Sequence, residues 1–149
     1  FNRIPNGVPG LETRLPILFS EGFHKGRIGL RRFVELSSTN PARIFGLYPK
    51  KGTITVGSDA DIAIWDPNWE RVISTAILHD NMDYTPYDGM EITGWPRTVI
   101  NQGREVVYNE TLQVERGSGS FLEREPGVVA PLGDDALLSH TRTFEAKLL

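Results

Sequence analysis

The 149-residue chain has no cysteine. That absence excludes a disulfide framework, a thiolate zinc site and a cysteine nucleophile together. Histidine is scarce as well. His24, His79 and His140 stand far apart, with none of the H-x-H or i, i+4 spacing that puts two imidazoles on one metal. Apolar runs are only a few residues long, so nothing in the sequence is built to span a bilayer. A Gly-rich phosphate loop with its lysine is missing, and basic residues are scattered apart from Arg31-Arg32 and Lys50-Lys51. The net charge of −3 gives no electrostatic reason to expect a nucleic-acid partner or an anionic membrane surface. No signal or transit peptide is visible, which makes the cytoplasm the default compartment.

What the chain does have is ordinary globular composition, 39% hydrophobic and 23% charged residues, in an α-then-β order. Residues 1–10 read as a Gly- and Pro-rich loop. From Leu11 to Phe23 the apolar residues follow helical spacing, and Pro16 inside that pattern means a kink or a start near Arg14. Leu30 to Leu36 reads as a short amphipathic helix with Phe33, Val34 and Leu36 toward a core. Asn40-Pro41 reads as a new helix start, a capping side chain followed by a first-turn proline, and Gly46 as its C′ stop. The pattern then changes. Thr53 to Val56 alternates, Gly57-Ser58 offers a turn, and Ile62 to Trp65 is rich in β-formers, which together predict a hairpin ended by Asp66-Pro67. Arg71 to Ser74, Thr98 to Asn101, Arg104 to Tyr108 and Leu112 to Glu115 are further strand candidates, with Gln102-Gly103 as a tight turn. Residues 116–149, with Gly117-Ser118-Gly119-Ser120, Pro126, Pro131 and Asp134-Asp135, have little capacity to fold alone.

The candidate chemistry is thin. Glu12 and Arg14 suggest acid–base or anion-binding work, but a helix-start charge and a surface cation account for them better. Asp59 and Asp61 resemble a cation-binding pair, yet two carboxylates alone make a weak calcium site, and a turn explains them. Trp65, Trp69 and Trp95 fit core or subunit-interface packing. Ser37-Ser38-Thr39 has no triad context and reads as capping chemistry. Asn6-Gly7 is a common turn dipeptide, and by itself it reads as a plain turn.

Four blocks go further. Ile4-Pro5-Asn6-Gly7-Val8-Pro9-Gly10-Leu11-Glu12, Ser38 to Gly52, Asp83-Tyr84-Thr85-Pro86-Tyr87-Asp88-Gly89-Met90-Glu91 and Gly94-Trp95-Pro96-Arg97-Thr98-Val99-Ile100 stand in order through the chain. In order and spacing they resemble the C-terminal third of the dihydropyrimidinase and D-hydantoinase family, the cyclic-amidase branch of the metal-dependent amidohydrolases. The resemblance fades after about Pro126. It implies an α/β fold: the end of a (β/α)₈ barrel, part of a small β-sandwich and an extended C-terminal tail. On that basis residues 1–48 are the last loop and helices of the barrel, 49–115 the sandwich portion, and 116–149 a tail for subunit contact. A complete barrel takes roughly 250 residues, so this chain is expected to be a segment of a longer protein, as its opening at Phe1 also suggests.

The resemblance further implies a hydrolase that opens hydantoin or dihydropyrimidine rings at a C–N bond with two divalent metal ions, zinc by expectation. The metal ligands would lie outside this segment, so no catalytic or metal-binding residue is expected within it. Asn6 matches the family's substrate-binding asparagine, whose backbone holds the amide edge of the ring. The implied partners are a small cyclic amide and further copies of the chain in a homodimer or homotetramer. Two other readings stay open. One is a different cyclic amidase, a dihydroorotase or allantoinase. The other is a non-enzymatic scaffold like the collapsin-response proteins. The 149 residues by themselves are expected to bind no catalytic metal and hydrolyse nothing.

Overall fold

A computed structural model describes residues 7–114 and 117–124. The Asn6 and His140 expectations, the last residue of the Leu112–Glu115 strand and most of the tail lie outside that range. Two helical runs come first. Helix α1 (Arg14–Ile17) continues as a π-helical stretch from Leu18 to His24. Its start at Arg14 disposes of Pro16, because a first-turn proline lacks only an N–H that would be unpaired anyway. Helix α2 (Leu30–Val34) runs through a π stretch, Glu35–Thr39, straight into α3 (Asn40–Ile44).

That continuity corrects the helix start read at Asn40. Asn40 has helical backbone angles, φ −68° and ψ −44°, and makes no cap. The wider π turn before Pro41 is a usual way to relieve the clash of a proline ring with the preceding turn. Ser37 turns inward and donates to the Phe33 carbonyl at 2.7 Å, while Thr39 donates to the Gly52 carbonyl at 2.8 Å. Gly46 does end the run, at φ +68°, and the Leu47 N–H reaches the Ala42 carbonyl at 2.7 Å.

The remainder is a four-stranded antiparallel meander, β1 (Ile62–Val72), β2 (Glu91–Asn101), β3 (Arg104–Tyr108) and β4 (Thr111–Leu112), in that spatial order. The expected hairpin is not there: Thr53 to Val56 forms no strand. Nor does Asp66-Pro67 end β1. Pairing slips between Asp66 and Glu70, so Pro67 falls in a bulge where no ladder bond is asked of it, and Asp66 Oδ1 accepts the Asn68 N–H at 3.1 Å. The Arg71–Ser74 and Thr98–Asn101 readings were the ends of longer strands or their continuation. The β2–β3 turn is as read, with Gln102 at φ +50° and Gly103 at φ +79°, the positive pair a tight two-residue hairpin turn needs.

Two apolar centres hold the layers together. Ile73, Ile92 and Trp95 are buried at 0–6% exposure, with Ile17, Trp69, Ile77, Leu78, Tyr87 and Met90 around them. Beside them Phe19 stacks on Trp65 at 4.7 Å between ring centres, and Phe33 meets both rings edge-on. Gly94, at φ +100°, lies where any Cβ would collide with the Phe19 ring, so the helical layer approaches β2 this closely only over a glycine. Ser20, buried in the π stretch, accepts the Thr93 N–H at 3.1 Å and fixes the same contact. Val34 and Leu36, expected in the core with Phe33, are 46% and 40% exposed. Within the described residues the structure is thus mixed α/β with one antiparallel sheet.

Candidate functional site

The site expectation centred on the loop after Asn6, and the structure describes that loop from Gly7. It is shaped from the far end of the sequence. Between β1 and β2 the chain makes a 3₁₀ turn, Thr75–Ile77, and then an irregular segment set by side-chain turns. Asp80 Oδ1 accepts the Met82 N–H at 3.1 Å around Asn81, whose φ is +57°. Thr85 Oγ1 accepts the Tyr87 N–H at 3.3 Å. Both are the local turns that Asp and Thr favour. Gly89 then donates to the Ile73 carbonyl at 2.9 Å, and Ile73 to Met90 at 2.9 Å, returning the chain to the sheet.

This segment grips residues 7–12 at two points. The Tyr84 hydroxyl donates to the Gly7 carbonyl at 3.0 Å. At the other end, the His79 backbone N–H donates to Glu12 Oε2 at 2.8 Å, and His79 Nδ1 lies 2.8 Å from Glu12 Oε1. A carboxylate only accepts, so the Nδ1 proton sits between them. Both Glu12 oxygens are therefore occupied in holding the loop, which favours the structural reading of Glu12 over acid–base work. Arg14 is exposed at the start of α1. Thr13, just behind, is 1% exposed, and its Oγ1 has no partner among the described residues. A shallow cleft of about 470 Å³ lies between the loop and the gripping segment, lined by Gly7, Val8, Leu11, Asp80, Met82 and Tyr84.

The other candidates resolve into structure. Lys51 bridges Asp59, at 2.9 Å, and Asp61, so the acidic pair already has its cation. Asp61 also accepts the Gln102 N–H at 2.8 Å, tying the 51–61 loop to the β2–β3 turn. Burial works to raise the Asp61 pKa, but the Lys51 hydrogen bond, the Gln102 amide and the lysine charge outweigh it and hold the carboxyl below its usual value. Burial likewise opposes the Lys51 charge, and the two aspartates overcome it, raising the ammonium above its usual range. Trp95 is core, Trp65 belongs to the stacked aromatic centre, and Arg71 lies over Trp95 at 4.9 Å while facing Glu110. His24 is exposed at the end of its helix, and His79 is committed to Glu12. Among the described residues no three His, Cys, Asp or Glu converge. They do not fit a metal centre, and no nucleophile–base pair replaces one.

Tyr84 and His79 are the residues the sequence reading missed. Their partners lie 77 and 67 residues away, and no local spacing rule reaches that far. The only available signal was that Tyr84 sits in one of the four blocks.

The profile of the Amidohydrolase family matches residues 14–106. The chain is 50% identical over 124 residues to a D-hydantoinase of Geobacillus stearothermophilus, covering 83% of this chain and 26% of that protein. It is 45% identical over 126 residues to a dihydropyrimidinase of Rattus norvegicus, covering 85% of this chain and 24% of the relative. The crystal structure of a dihydropyrimidinase from Brevibacillus agri superposes with a TM-score of 0.83 at 45% identity, over 87% of this chain and 28% of that one. The chain thus spans about a quarter of the length of the curated relatives it matches.

Proposed function

We propose, on the premise that this chain belongs to the amidohydrolase family, that it is the C-terminal portion of a hydrolase opening cyclic amides at a C–N bond. Hydantoins and dihydropyrimidines are the substrates in this reading. One observation carries it: similarity to proteins named D-hydantoinase and dihydropyrimidinase persists at 45–50% identity along more than four-fifths of the chain. Two of the dispersed blocks that carry the resemblance, the Tyr84 segment and the Gly7 loop, are in contact in the fold.

Residues 1–48 are assigned to the last loop and helices of the barrel, 49–115 to part of a β-sandwich, and 116–149 to a tail that contacts another subunit. Two helical runs between Arg14 and Ile44, followed by a meander from Ile62 to Leu112, support such a division. Asn6 is assigned to substrate contact through its backbone, at the C-terminal face of the barrel where such sites gather. The two divalent metals of the reading, zinc by preference, would be held by parts of the enzyme outside this chain. What this chain supplies is therefore support and one edge of the substrate pocket, in a cytoplasmic homo-oligomer.

The test is ring opening by the full-length protein containing this chain, with hydantoin, dihydrouracil, dihydroorotate and allantoin compared under metal-loaded conditions. Preference for the first two is the expected outcome. Faster opening of dihydroorotate or allantoin would move the assignment to another cyclic amidase. A metal-loaded, folded protein that opens none of the four would point to the scaffold reading.

A further inference from the structure

We propose that the joint between the helical layer and the sheet is a rigid lock, so that the two move and open as one body in the whole protein. Under the functional reading above, on which this consequence rests, barrel end and sandwich do not rock against each other, and closure over substrate falls to other segments. The default points the other way. Parts assigned to different domains move relative to one another unless a large apolar interface joins them. The chain also crosses from α3 to β1 through residues 45–61, which hold three glycines at positive φ, Gly46, Gly52 and Gly57. Such glycines are what a hinge uses to absorb backbone rotation.

Each of the three is held. Gly46 closes its helix, with the Leu47 N–H on the Ala42 carbonyl at 2.7 Å. Gly52 lies on the helix: a Cβ there would overlap the Ala42 side chain and come within 3.2 Å of the Ser38 carbonyl, and the Gly52 carbonyl accepts the Thr39 hydroxyl. Gly57 sits in a loop closed at its base, where the Asp59 N–H donates to the Lys50 carbonyl at 2.9 Å and Lys51 pairs with Asp59. Rotation at Gly57 therefore moves that loop and not the sheet. Just beyond the same base, the Gly103 N–H donates to the Ala60 carbonyl at 3.0 Å, and Asp61 takes the Gln102 N–H. The second attachment is by packing. Ile17 meets the Ile73, Ile92 and Trp95 centre, Phe19 stacks on Trp65 and fills the space over Gly94, and buried Ser20 accepts the Thr93 N–H. Sliding or tilting would unpair a buried amide and open a void beneath aromatic rings, and both are costly. These residues are buried by this chain itself, so protein added around it only buries them further.

The test is hydrogen exchange of the full-length protein containing this chain, in a series of low denaturant concentrations, read by mass spectrometry in peptides covering residues 15–24 and 91–101. One body means that both peptides exchange through a single opening, with the same midpoint and slope. A hinge means two openings, and protection differing by more than about tenfold between the slowest amides of the two peptides would overturn the proposal. Ser20→Ala sharpens the test, since it keeps the helix and removes the acceptor of the Thr93 N–H. Leaving that buried donor unpaired should lower protection roughly five- to a hundredfold, and by the same factor in both peptides. Loss confined to 91–101, with 15–24 as in the parent, would count against the lock. Should the variant fail to fold, the parent series alone decides. Exchange is read without turnover, so a parent that opens no cyclic amide overturns the functional reading, while the lock stands or falls on these measurements.

Discussion

Two stretches of similar composition end in opposite states. Thr53 to Val56 and β2 are both rich in the β-formers Ile, Val and Thr, yet Ile92 is 2% exposed whereas Ile54 is 82% exposed. The difference lies in what stands beside them. β2 has β1 on one edge, β3 on the other and the helical layer over Gly94. The 53–58 stretch has no strand partner among the described residues and is held at its flanks instead, by Thr39 on Gly52 and by Ser58 Oγ on the Pro49 carbonyl at 2.7 Å. Composition makes a segment fit to be a strand; a free edge in reach makes it one.

The contrast can be broken most severely at Gly94. Gly94→Ala forces a side chain into the Phe19 ring at a backbone angle that disfavours it, and strain plus overpacking should cost up to about 6 kcal/mol. In denaturant unfolding of the protein that means a collapse of the midpoint, and a variant as stable as the parent would refute the close approach. Ile73→Ala comes next. Emptying a site at 0% exposure should cost about 3–4 kcal/mol, read as a lower midpoint at unchanged slope.

Asp61→Asn tests the other region, where ties replace packing. Its carboxyl is held below its usual pKa, so its contribution is present above the ordinary aspartate value and is lost as pH falls through the depressed one. After discount for its partial exposure, about 1 kcal/mol should be missing at pH 7. The variant should also lose part of the acid limb of the stability profile; an acid limb identical to the parent's would count against the Lys51–Asp61–Gln102 tie. The smallest effect belongs to Ile54→Ser with Val56→Ser, expected within about 0.5 kcal/mol. A loss well above 1 kcal/mol would mean that other parts of the full protein cover these side chains, and the contrast would narrow.

The same contrast explains what could be read in advance. Gln102-Gly103 and Arg104–Tyr108 were legible because a turn dipeptide and its following strand are local matters. So was the Gly46 stop. Pro41, read as a helix start, and Pro67, read as a strand end, misled for a shared reason: proline marks a boundary unless the backbone widens around it, and here a π turn and a bulge do that. The amidohydrolase membership was legible from block order. Asn6 lies outside the described residues, so its substrate role stays with the proposal. The His79–Glu12 contact was illegible because the two residues advertise nothing until the fold brings them together.

The Tyr84–Gly7 and His79–Glu12 contacts also set an order in time. A contact spanning some 70 residues cannot form until the intervening chain has collapsed, since closing so long a loop is entropically uphill on its own. The helices and the β2–β3 hairpin can form early from neighbours in sequence. Loop 7–12 takes its shape only when residues 79–84 arrive, so it is among the last parts of this segment to mature, and among the first to open under stress.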